Sequence, residues 1–326
     1  MTILVTGAGG FVGCHIVEAL ARAFPGELLV AADAAPPDAV ATRLFGAIGE
    51  RCLAVPLDVT DRHAVATVVS AYRPTLVVHA AAVTPTPEQE RANPIRIMDV
   101  NLGGLACVLD AAGRSPGVRR VLSISSTGVF GPGVGVDGPV DETVDPRPSH
   151  LYGVSKRAGE DLLRRWCELT GVSGASFRLG TIFGRHERPT PHRGRLSAVA
   201  NLLAAGRGGR VAVLHGGAVV RDWLDGDDLG DAMARVAAAP SLAHPVYNLV
   251  GERRSFGDIA AMAAAAGIAS RWVDDPAAAD VALLASDVRA EASPARFVAE
   301  FGPVARAPLS DAIRRFAAAP AGEAAA

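Results

Sequence analysis

The stretch Thr6-Gly7-Ala8-Gly9-Gly10-Phe11-Val12-Gly13 follows a short apolar run, Ile3-Leu4-Val5, and opens an amphipathic segment that extends to Phe24. Glycines at such a strand-to-helix junction allow a tight turn and close approach of the backbone to a pyrophosphate, while the helix N-terminus faces the anion. A tight turn that binds no ligand would have a similar sequence. Here, however, the preceding strand, the following helix and an acid further along the chain all agree with a nucleotide site. The stretch therefore predicts a dinucleotide-binding turn.

The downstream acid is Asp33, which follows the second apolar run at residues 28–31. It lies about 20 residues beyond Gly13, as expected for the acid that binds the adenosine ribose and repels a 2′-phosphate. The next arginine is Arg43, so none follows immediately to accommodate that phosphate. The pattern favours NAD over NADP, and the alternative interpretation of Asp33 is a solvated turn residue.

Short apolar runs alternate with amphipathic segments through roughly the first 180 residues. The candidate strands are residues 3–5, 28–31, 53–55, 76–78, 121–124 and 174–177, and helical patterns include Val12 to Phe24 and Ala64 to Tyr72. Continuous hydrophobicity indicates strands that are covered on both faces. Alternating strands and helices then predict an α/β fold with a doubly wound parallel sheet (Rossmann).

The remaining sequence predicts a smaller C-terminal substrate-binding lobe. The expected parts are an NAD-binding domain at 1–184 with 219–251 returning to it, a lobe from 185–218 and 252–318, and a frayed tail at 319–326. Within them we expect a helix at 196–205, a strand at 246–249 and helices from about Asp258. Glycine and proline crowd residues 131–150, which predicts a loop bordering the active site.

Composition excludes several classes of protein. Of 326 residues, 49% are hydrophobic, and 32 basic against 34 acidic side chains leave a formal charge of −2. That balance argues against a dedicated nucleic-acid or membrane-surface protein. We expect no membrane span, because no apolar run reaches about 18 residues, and no signal peptide, because the start is not cationic. The scattered cysteines predict free thiols in a reducing cytoplasm and no metal site; they are Cys14, Cys52, Cys107 and Cys167.

Lys156 is the only lysine in the chain, and Tyr152 precedes it by four residues. At that spacing the two side chains share one helix face, in a helix that Ser149 or a nearby residue could start. A nearby ammonium favours the phenolate, so the tyrosine could take a proton from a secondary alcohol. Ser125 and Ser126 end the fifth candidate strand, where a hydroxyl can hold the substrate oxygen or merely cap backbone groups.

Together these motifs resemble the extended short-chain dehydrogenase/reductases, specifically the NAD-dependent epimerase/dehydratase family, over nearly the whole length. The motifs that carry the resemblance are Thr6 to Gly13, Leu57-Asp58-Val59, His79-Ala80-Ala81-Ala82, Asn101-Leu102-Gly103-Gly104, Ser125 to Gly131 with Phe130 where tyrosine is usual, and Tyr152 to Lys156.

This resemblance implies a role for particular positions of the chain. The implied cofactor-binding residues are Gly7, Gly9, Gly10, Phe11, Val12, Gly13, Asp33, Asp58, Val59, His79, Ala80, Ala81, Tyr152 and Lys156. Ser126 is implied as the catalytic hydroxyl, Tyr152 as the base, and Lys156 as the residue that also holds the nicotinamide ribose. A homodimer through the helices after Pro94 and around Tyr152 is also implied.

Gly128 narrows the expected reaction. The family's sugar dehydratases and sugar-acid decarboxylases carry a carboxylic acid in this part of the serine motif, and its epimerase–reductase branch carries a cysteine. A glycine offers none of these groups, so dehydration is disfavoured. What remains is oxidation of a carbinol, followed by reduction on the other face or by release of the ketone.

An anionic substrate is expected because arginine suits carboxylate and phosphate, and residues 184–195 are rich in it. Arg221-Asp222-Trp223 also resembles a family motif whose arginine often contacts a sugar-nucleotide pyrophosphate. Solvated charges on a mobile loop are the alternative. Against a nucleotide sugar, Thr181 stands where asparagine is usual, and Arg185 where proline is common. The candidate substrate residues are Ser126, Thr127, Thr181, Arg185, His192, Arg193 and Arg221.

Three hypotheses follow from the sequence. The first is an epimerase of an anionic, nucleotide-linked sugar that keeps its NAD bound. The second is a net NAD-dependent dehydrogenase of a free sugar acid or related hydroxy acid. The third is a non-catalytic NAD-binding regulatory protein, which the set of Ser126, Tyr152 and Lys156 argues against.

Overall fold

The computed structural model describes residues 1–131, 134–135, 138–190, 196–284 and 289–318. Its strands are β1 (Thr2–Thr6), β2 (Leu28–Asp33), β3 (Cys52–Pro56), β4 (Leu76–His79), β5 (Arg120–Ser126), β6 (Ser173–Leu179), β7 (Thr181–Phe183), β8 (Ala212–His215), β9 (Val220–Asp225), β10 (Val246–Leu249), β11 (Glu252–Ser255), β12 (Ser270–Trp272) and β13 (Val281–Ala282). Its α-helices are α1 (Phe11–Ala23), α2 (Ala39–Ile48), α3 (Arg62–Tyr72), α4 (Pro87–Ala92), α5 (Pro94–Met98), α6 (Gly104–Gly113), α7 (Leu151–Thr170), α8 (Ala198–Gly206), α9 (Gly226–Ala238), α10 (Phe256–Ala265), α11 (Ala295–Phe301) and α12 (Leu309–Ala318).

A seven-stranded parallel sheet forms the centre, in the order β10-β6-β5-β4-β1-β2-β3. Both of its faces are covered, as β1 illustrates. Ile3 and Val5 pack into the core beneath α1 and α9, whereas Leu4 packs into the opposite core beneath α3 and α6. Because successive side chains of a strand point to opposite faces, the run must be apolar throughout. The predicted doubly wound sheet is confirmed.

Two smaller sheets form the C-terminal part, in the orders β11-β9-β7 and β12-β8-β13. Their shared core contains Phe183, Trp223 and Phe256. Within the segment predicted to return to the large sheet, β10 pairs with β6 and α9 packs on α1, but β9 pairs with β7 and β11. The predicted tail at 319–326 lies outside the described residues.

No helix in the described ranges is long and apolar enough to cross a membrane.

Candidate functional site

A cavity of about 920 Å³ opens beside the carboxyl ends of β1, β4 and β5, where open α/β sheets bind ligands. Its wall brings together residues from most of the sequence motifs. Among the predicted cofactor and catalytic residues, it includes Gly7, Gly10, Phe11, Val12, Gly13, Asp33, Asp58, Val59, Ala80, Ala81, Ser126, Tyr152 and Lys156. Such a volume is at the upper end for ligand pockets, which run to roughly 1,000 Å³.

Two glycines of the turn, Gly7 and Gly13, have no room for a side chain. A Cβ atom on Gly13 would lie 2.0 Å from the carbonyl oxygen of Gly7, and one on Gly7, whose φ is +68°, would lie 2.6 Å from the Cα of Ala81. Gly10 precedes α1, and among the described residues no side chain caps this helix and its first turn contains no acid. The positive end of the helix dipole therefore lies at this wall of the cavity, so the turn fits a pyrophosphate.

Asp33 is oriented by two backbone N–H groups. Gly9 donates to its Oδ2 atom at 3.0 Å, and Ala35 donates to its Oδ1 atom at 3.1 Å. Gly9 lies behind the cavity wall, where it holds this carboxylate. A carboxylate accepts up to four hydrogen bonds, so the part that faces the cavity can still accept ribose hydroxyls.

His79 lies deeper than the resemblance implies. It is 1% exposed, and its Nδ1 atom is 2.9 Å from the hydroxyl of Thr6. Burial, with the charge of Lys156, lowers the pKa of His79 to about 3. A neutral histidine under the wall is a structural group, and within its motif it is Ala80 and Ala81 that face the cavity.

The helix α7 carries Tyr152 and Lys156 on consecutive turns. The Nζ atom of Lys156 donates to the carbonyl of Ile124 at 2.8 Å and lies 5.6 Å from the centroid of the Tyr152 ring. Burial lowers the pKa of Lys156 to about 8, although the nearby carboxylate of Glu160 opposes this shift. The ammonium is therefore anchored beside the tyrosine but is costly to keep charged.

Ser126 ends β5 and lines the same cavity. Its Oγ atom accepts a hydrogen bond from the backbone N–H of Gly128 at 3.0 Å. Because the hydroxyl accepts in this contact, its own proton can be donated to a substrate oxygen.

His150, which is adjacent to Ser149, caps the N-terminus of α7, in agreement with a predicted start at Ser149 or a nearby residue. Its Nδ1 atom accepts a hydrogen bond from the N–H of Gly153 at 2.9 Å. The imidazole thus caps the helix in the way that a serine hydroxyl commonly does. The ring stacks on Tyr152 at 6.2 Å and lines the cavity. A Cβ on Gly128 would lie 3.3 Å from this ring. Sequence reasoning missed His150 because histidine is an uncommon helix cap, and the glycine opposite it was the only signal.

Buried polar groups join α7 to the strands beneath it. Glu160 accepts from Arg178 at 2.8 Å and from the hydroxyl of Ser125 at 2.6 Å. Asn101 holds the backbone of Val83, after β4, and donates to the hydroxyl of Ser155 at 3.1 Å. These contacts position the catalytic face of α7 against the ends of β4 and β5.

Of the predicted substrate residues, Thr127, Thr181 and Arg221 line the cavity, and so does Arg289, which the sequence analysis missed. His192 and Arg193 lie outside the described residues. Arg185 lies away from the cavity, in ion pairs with Glu18 and, at 3.1 Å, with Asp227.

Arg188 is buried against Asp38 rather than exposed on a mobile loop. The expectation that the arginines of the 184–195 loop face an anion therefore fails for Arg185 and Arg188, since acids from distant segments neutralise both.

Comparison with known families matches residues 3–249 to the NAD dependent epimerase/dehydratase family. The chain belongs to this family. A dTDP-L-rhamnose 4-epimerase of Burkholderia thailandensis is 29% identical over 296 residues, which cover 81% of this chain and 80% of that protein. The crystal structure of a Thermus thermophilus UDP-glucose 4-epimerase in complex with NAD has a TM-score of 0.79 at 25% identity, over 97% of this chain and 98% of that one.

The structure of an L-threonine dehydrogenase from Cupriavidus necator also matches, with a TM-score of 0.79 at 23% identity over 98% of this chain and 99% of that one. At this identity, the match shows only that the two proteins share a fold. The predicted family and the predicted cofactor, NAD, are thus confirmed. The family comprises both epimerases and dehydratases, so membership leaves the reaction to be argued from the site.

Proposed function

We propose that this protein is an NAD-dependent epimerase that acts on a secondary alcohol of a nucleotide-linked, anionic sugar. One observation carries the proposal: Ser126, Tyr152 and Lys156 line the same cavity as the glycine turn and Arg221. A binding protein would need the glycine turn but would have no use for a tyrosine beside a buried ammonium.

Bound NAD supplies an acceptor, and later a donor, for the hydride of the carbinol carbon. The phenol of Tyr152 takes the carbinol proton during oxidation and returns it during reduction. Lys156 favours the ionised phenol through its charge, since its Nζ lies 5.6 Å from the ring centroid and is fixed by the Ile124 carbonyl. Ser126 donates a hydrogen bond to the reacting oxygen and steadies its changing charge.

Gly128 favours epimerisation over dehydration. Elimination of water by the family's route needs carboxylic acids in the segment after Ser126, and this chain has Thr127 and Gly128 there. The imidazole of His150 lies where a longer side chain at 128 would reach, with a Cβ on Gly128 only 3.3 Å from it. The segment after Ser126 therefore lacks the carboxylic acids of that route but keeps the groups that redox chemistry at the carbinol requires.

A diphosphate is the anion that the cavity suits best. Arg221 and Arg289 come from β9 and from the segment before α11, and both line the cavity. The planar guanidinium binds phosphate oxygens in pairs. The relatives described above include enzymes named for dTDP-L-rhamnose and UDP-glucose, which supports a nucleotide sugar here as well.

The test is incubation of the purified protein, with its bound NAD, with UDP-glucose, UDP-glucuronic acid or dTDP-L-rhamnose. We expect a 4-epimer of one of these to appear by NMR without accumulation of reduced nicotinamide in the absorbance spectrum. Release of one reduced nicotinamide per product would contradict the proposal.

That contrary result would favour a net dehydrogenase of a free sugar acid or hydroxy acid, for which Thr181 in the cavity wall is the supporting observation. A Tyr152→Phe variant that matches the wild type in every turnover assay would instead favour a regulatory NAD-binding protein.

We also propose a homodimer formed through α5 and α7. Ile95 on α5 is 71% exposed and Val154 on α7 is 39% exposed, so both helices present apolar side chains to a partner. Light scattering should give the mass of two chains, and Ile95→Glu should shift it toward one. A wild-type protein that stays at one chain at high concentration would refute this arrangement.

A further inference from the structure

Arg188 is a charged side chain that is only 1% exposed, in the loop that follows β7. Its Nε and Nη2 atoms donate to the two carboxylate oxygens of Asp38, at 2.5 and 2.7 Å. Nη2 also donates to the carbonyl of Gly9 at 2.7 Å, and Nη1 donates to the carbonyl of His186 at 2.9 Å. A buried charge is stable only when it is paired and hydrogen-bonded, and this guanidinium meets both conditions.

The contact with Gly9 fixes the glycine turn. The carbonyl of the Gly9–Gly10 peptide accepts from Arg188, while its N–H group donates to the carbonyl of Gly7 at 3.1 Å. The preceding N–H, that of Gly9, donates to Asp33 at 3.0 Å. Two successive peptide planes are thus oriented, one by Asp33 and the other by Arg188. Because α1 begins directly after Gly10, this orientation also sets the direction of the first helical turn.

The contact with Asp38 fixes the position of the segment 33–38, at the end of β2. Asp38 follows β2 and caps α2, where its Oδ1 atom accepts from the N–H groups of Val40 and Ala41. Burial disfavours its ionised form, but Arg188 and these N–H groups prevail and lower the pKa of Asp38. Arg188 therefore joins the glycine turn to the segment 33–38.

We propose that Arg188 is a positioning residue for NAD. It holds the glycine turn and the segment 33–38 at the separation that NAD requires, without itself lining the cavity. Retention of NAD, on which an epimerase depends between its two half-reactions, thus depends on a side chain from the loop after β7. NAD binding can be measured without a substrate, so this proposal can fail or stand independently of the proposed function.

The test is calorimetric titration of the full-length, NAD-free protein with NAD and with ADP-ribose. Arg188→Met should raise both dissociation constants at least tenfold. Arg185→Met is the matched control, because it removes an arginine of the same loop whose ion pairs with Glu18 and Asp227 lie away from the cavity. The control should bind NAD within twofold of the wild type. Equal weakening by both variants would overturn the proposal, since loop folding alone would explain it.

A double-mutant cycle distinguishes a positioning role of Arg188 from a nonspecific destabilisation of the fold. If Arg188 acts through Gly9, whose N–H group also donates to Asp33, the Arg188→Met change should weaken NAD binding less in an Asp33→Asn background. Additive effects would overturn the proposal. Should Arg188→Met fail to fold, Arg188→Lys keeps a charge near Asp38, but one compact ammonium cannot bridge both Asp38 and Gly9. We expect it to weaken NAD binding at least fivefold, and wild-type affinity in this variant would overturn the proposal.

Discussion

Replacing Lys156 with methionine should make the NAD-free protein more stable while it abolishes turnover. The ammonium of Lys156 is buried, and its one hydrogen bond in the described structure goes to the carbonyl of Ile124. Methionine has a similar length and no charge, so it can fill the same space without the cost of burying an ion. Lys156 would thus serve catalysis while it lowers the free energy of unfolding.

The size of the effect follows from the pKa. Burial lowers the pKa of Lys156 from 10.5 to about 8, which corresponds to a penalty of about 3 kcal/mol for the charged form. Losing its hydrogen bond leaves the Ile124 carbonyl without that donor, at a cost of about 1–2 kcal/mol. The methionine variant should therefore be more stable by about 1–2 kcal/mol near pH 7.

Urea unfolding across pH provides the assay. Between about pH 8 and pH 10.5 the unfolded chain keeps the proton on Lys156 and the folded protein loses it, so wild-type stability should rise with pH in this window. The methionine variant lacks this group, and its advantage should shrink and then disappear above pH 8. Because the two proteins share every other titratable side chain, the difference between them reports the titration of Lys156. A variant that is less stable at pH 7, or an advantage that is independent of pH, would refute the reasoning.

Three further changes test the site. Gly13→Ala should abolish NAD binding by calorimetry, because its Cβ would lie 2.0 Å from the Gly7 oxygen. Gly46→Ala is the control and should bind NAD normally, because a Cβ there would meet no described atom within 4 Å beyond its chain neighbours and the backbone of its own helix. Tyr152→Phe should lower kcat by roughly 10²–10⁴-fold and leave the NAD dissociation constant unchanged; a smaller loss of kcat would argue against Tyr152 as the proton carrier. Arg221→Met should raise KM for a nucleotide sugar roughly tenfold with little change in kcat, the signature of lost ground-state binding; an unchanged KM would remove this arginine from the substrate site.

The large sheet and the cofactor turn could be predicted because their determinants are local. Runs such as Ile3-Leu4-Val5 are apolar at every position and are bounded by a glycine turn, which is typical of a strand covered on both faces. The glycines that follow have a steric reason that needs no knowledge of the rest of the chain, since any side chain on Gly13 would meet the backbone of its own turn. Tyr152 and Lys156 were similarly accessible, because four residues of helix bring them onto one face.

Features that depend on contacts between distant segments could not be predicted. His79 ends β4, one residue beyond the predicted run at 76–78, and it is buried there beside Thr6 on the neighbouring strand, with which it shares a hydrogen bond. One local choice was also open: the cap of α7 is His150, whose Nδ1 accepts from the N–H of Gly153, although the adjacent Ser149 is the commoner residue type for that role. Sequence alone does not show which of two adjacent polar residues faces the helix end.

The arginines after β7 show this limit most clearly, and they also constrain the substrate. Four arginines in one short segment suggest an anion site when charge is counted along the chain. In space, Arg185 meets Glu18 and Asp227, and Arg188 meets Asp38, so acids from three distant segments neutralise the described part of the loop. A side chain that is already paired and buried has little to offer a substrate, because moving it would leave its acid uncompensated. Under the proposed function, we therefore expect the anionic part of the substrate to meet arginines of the cavity wall such as Arg221 and Arg289, which come from the C-terminal part of the chain.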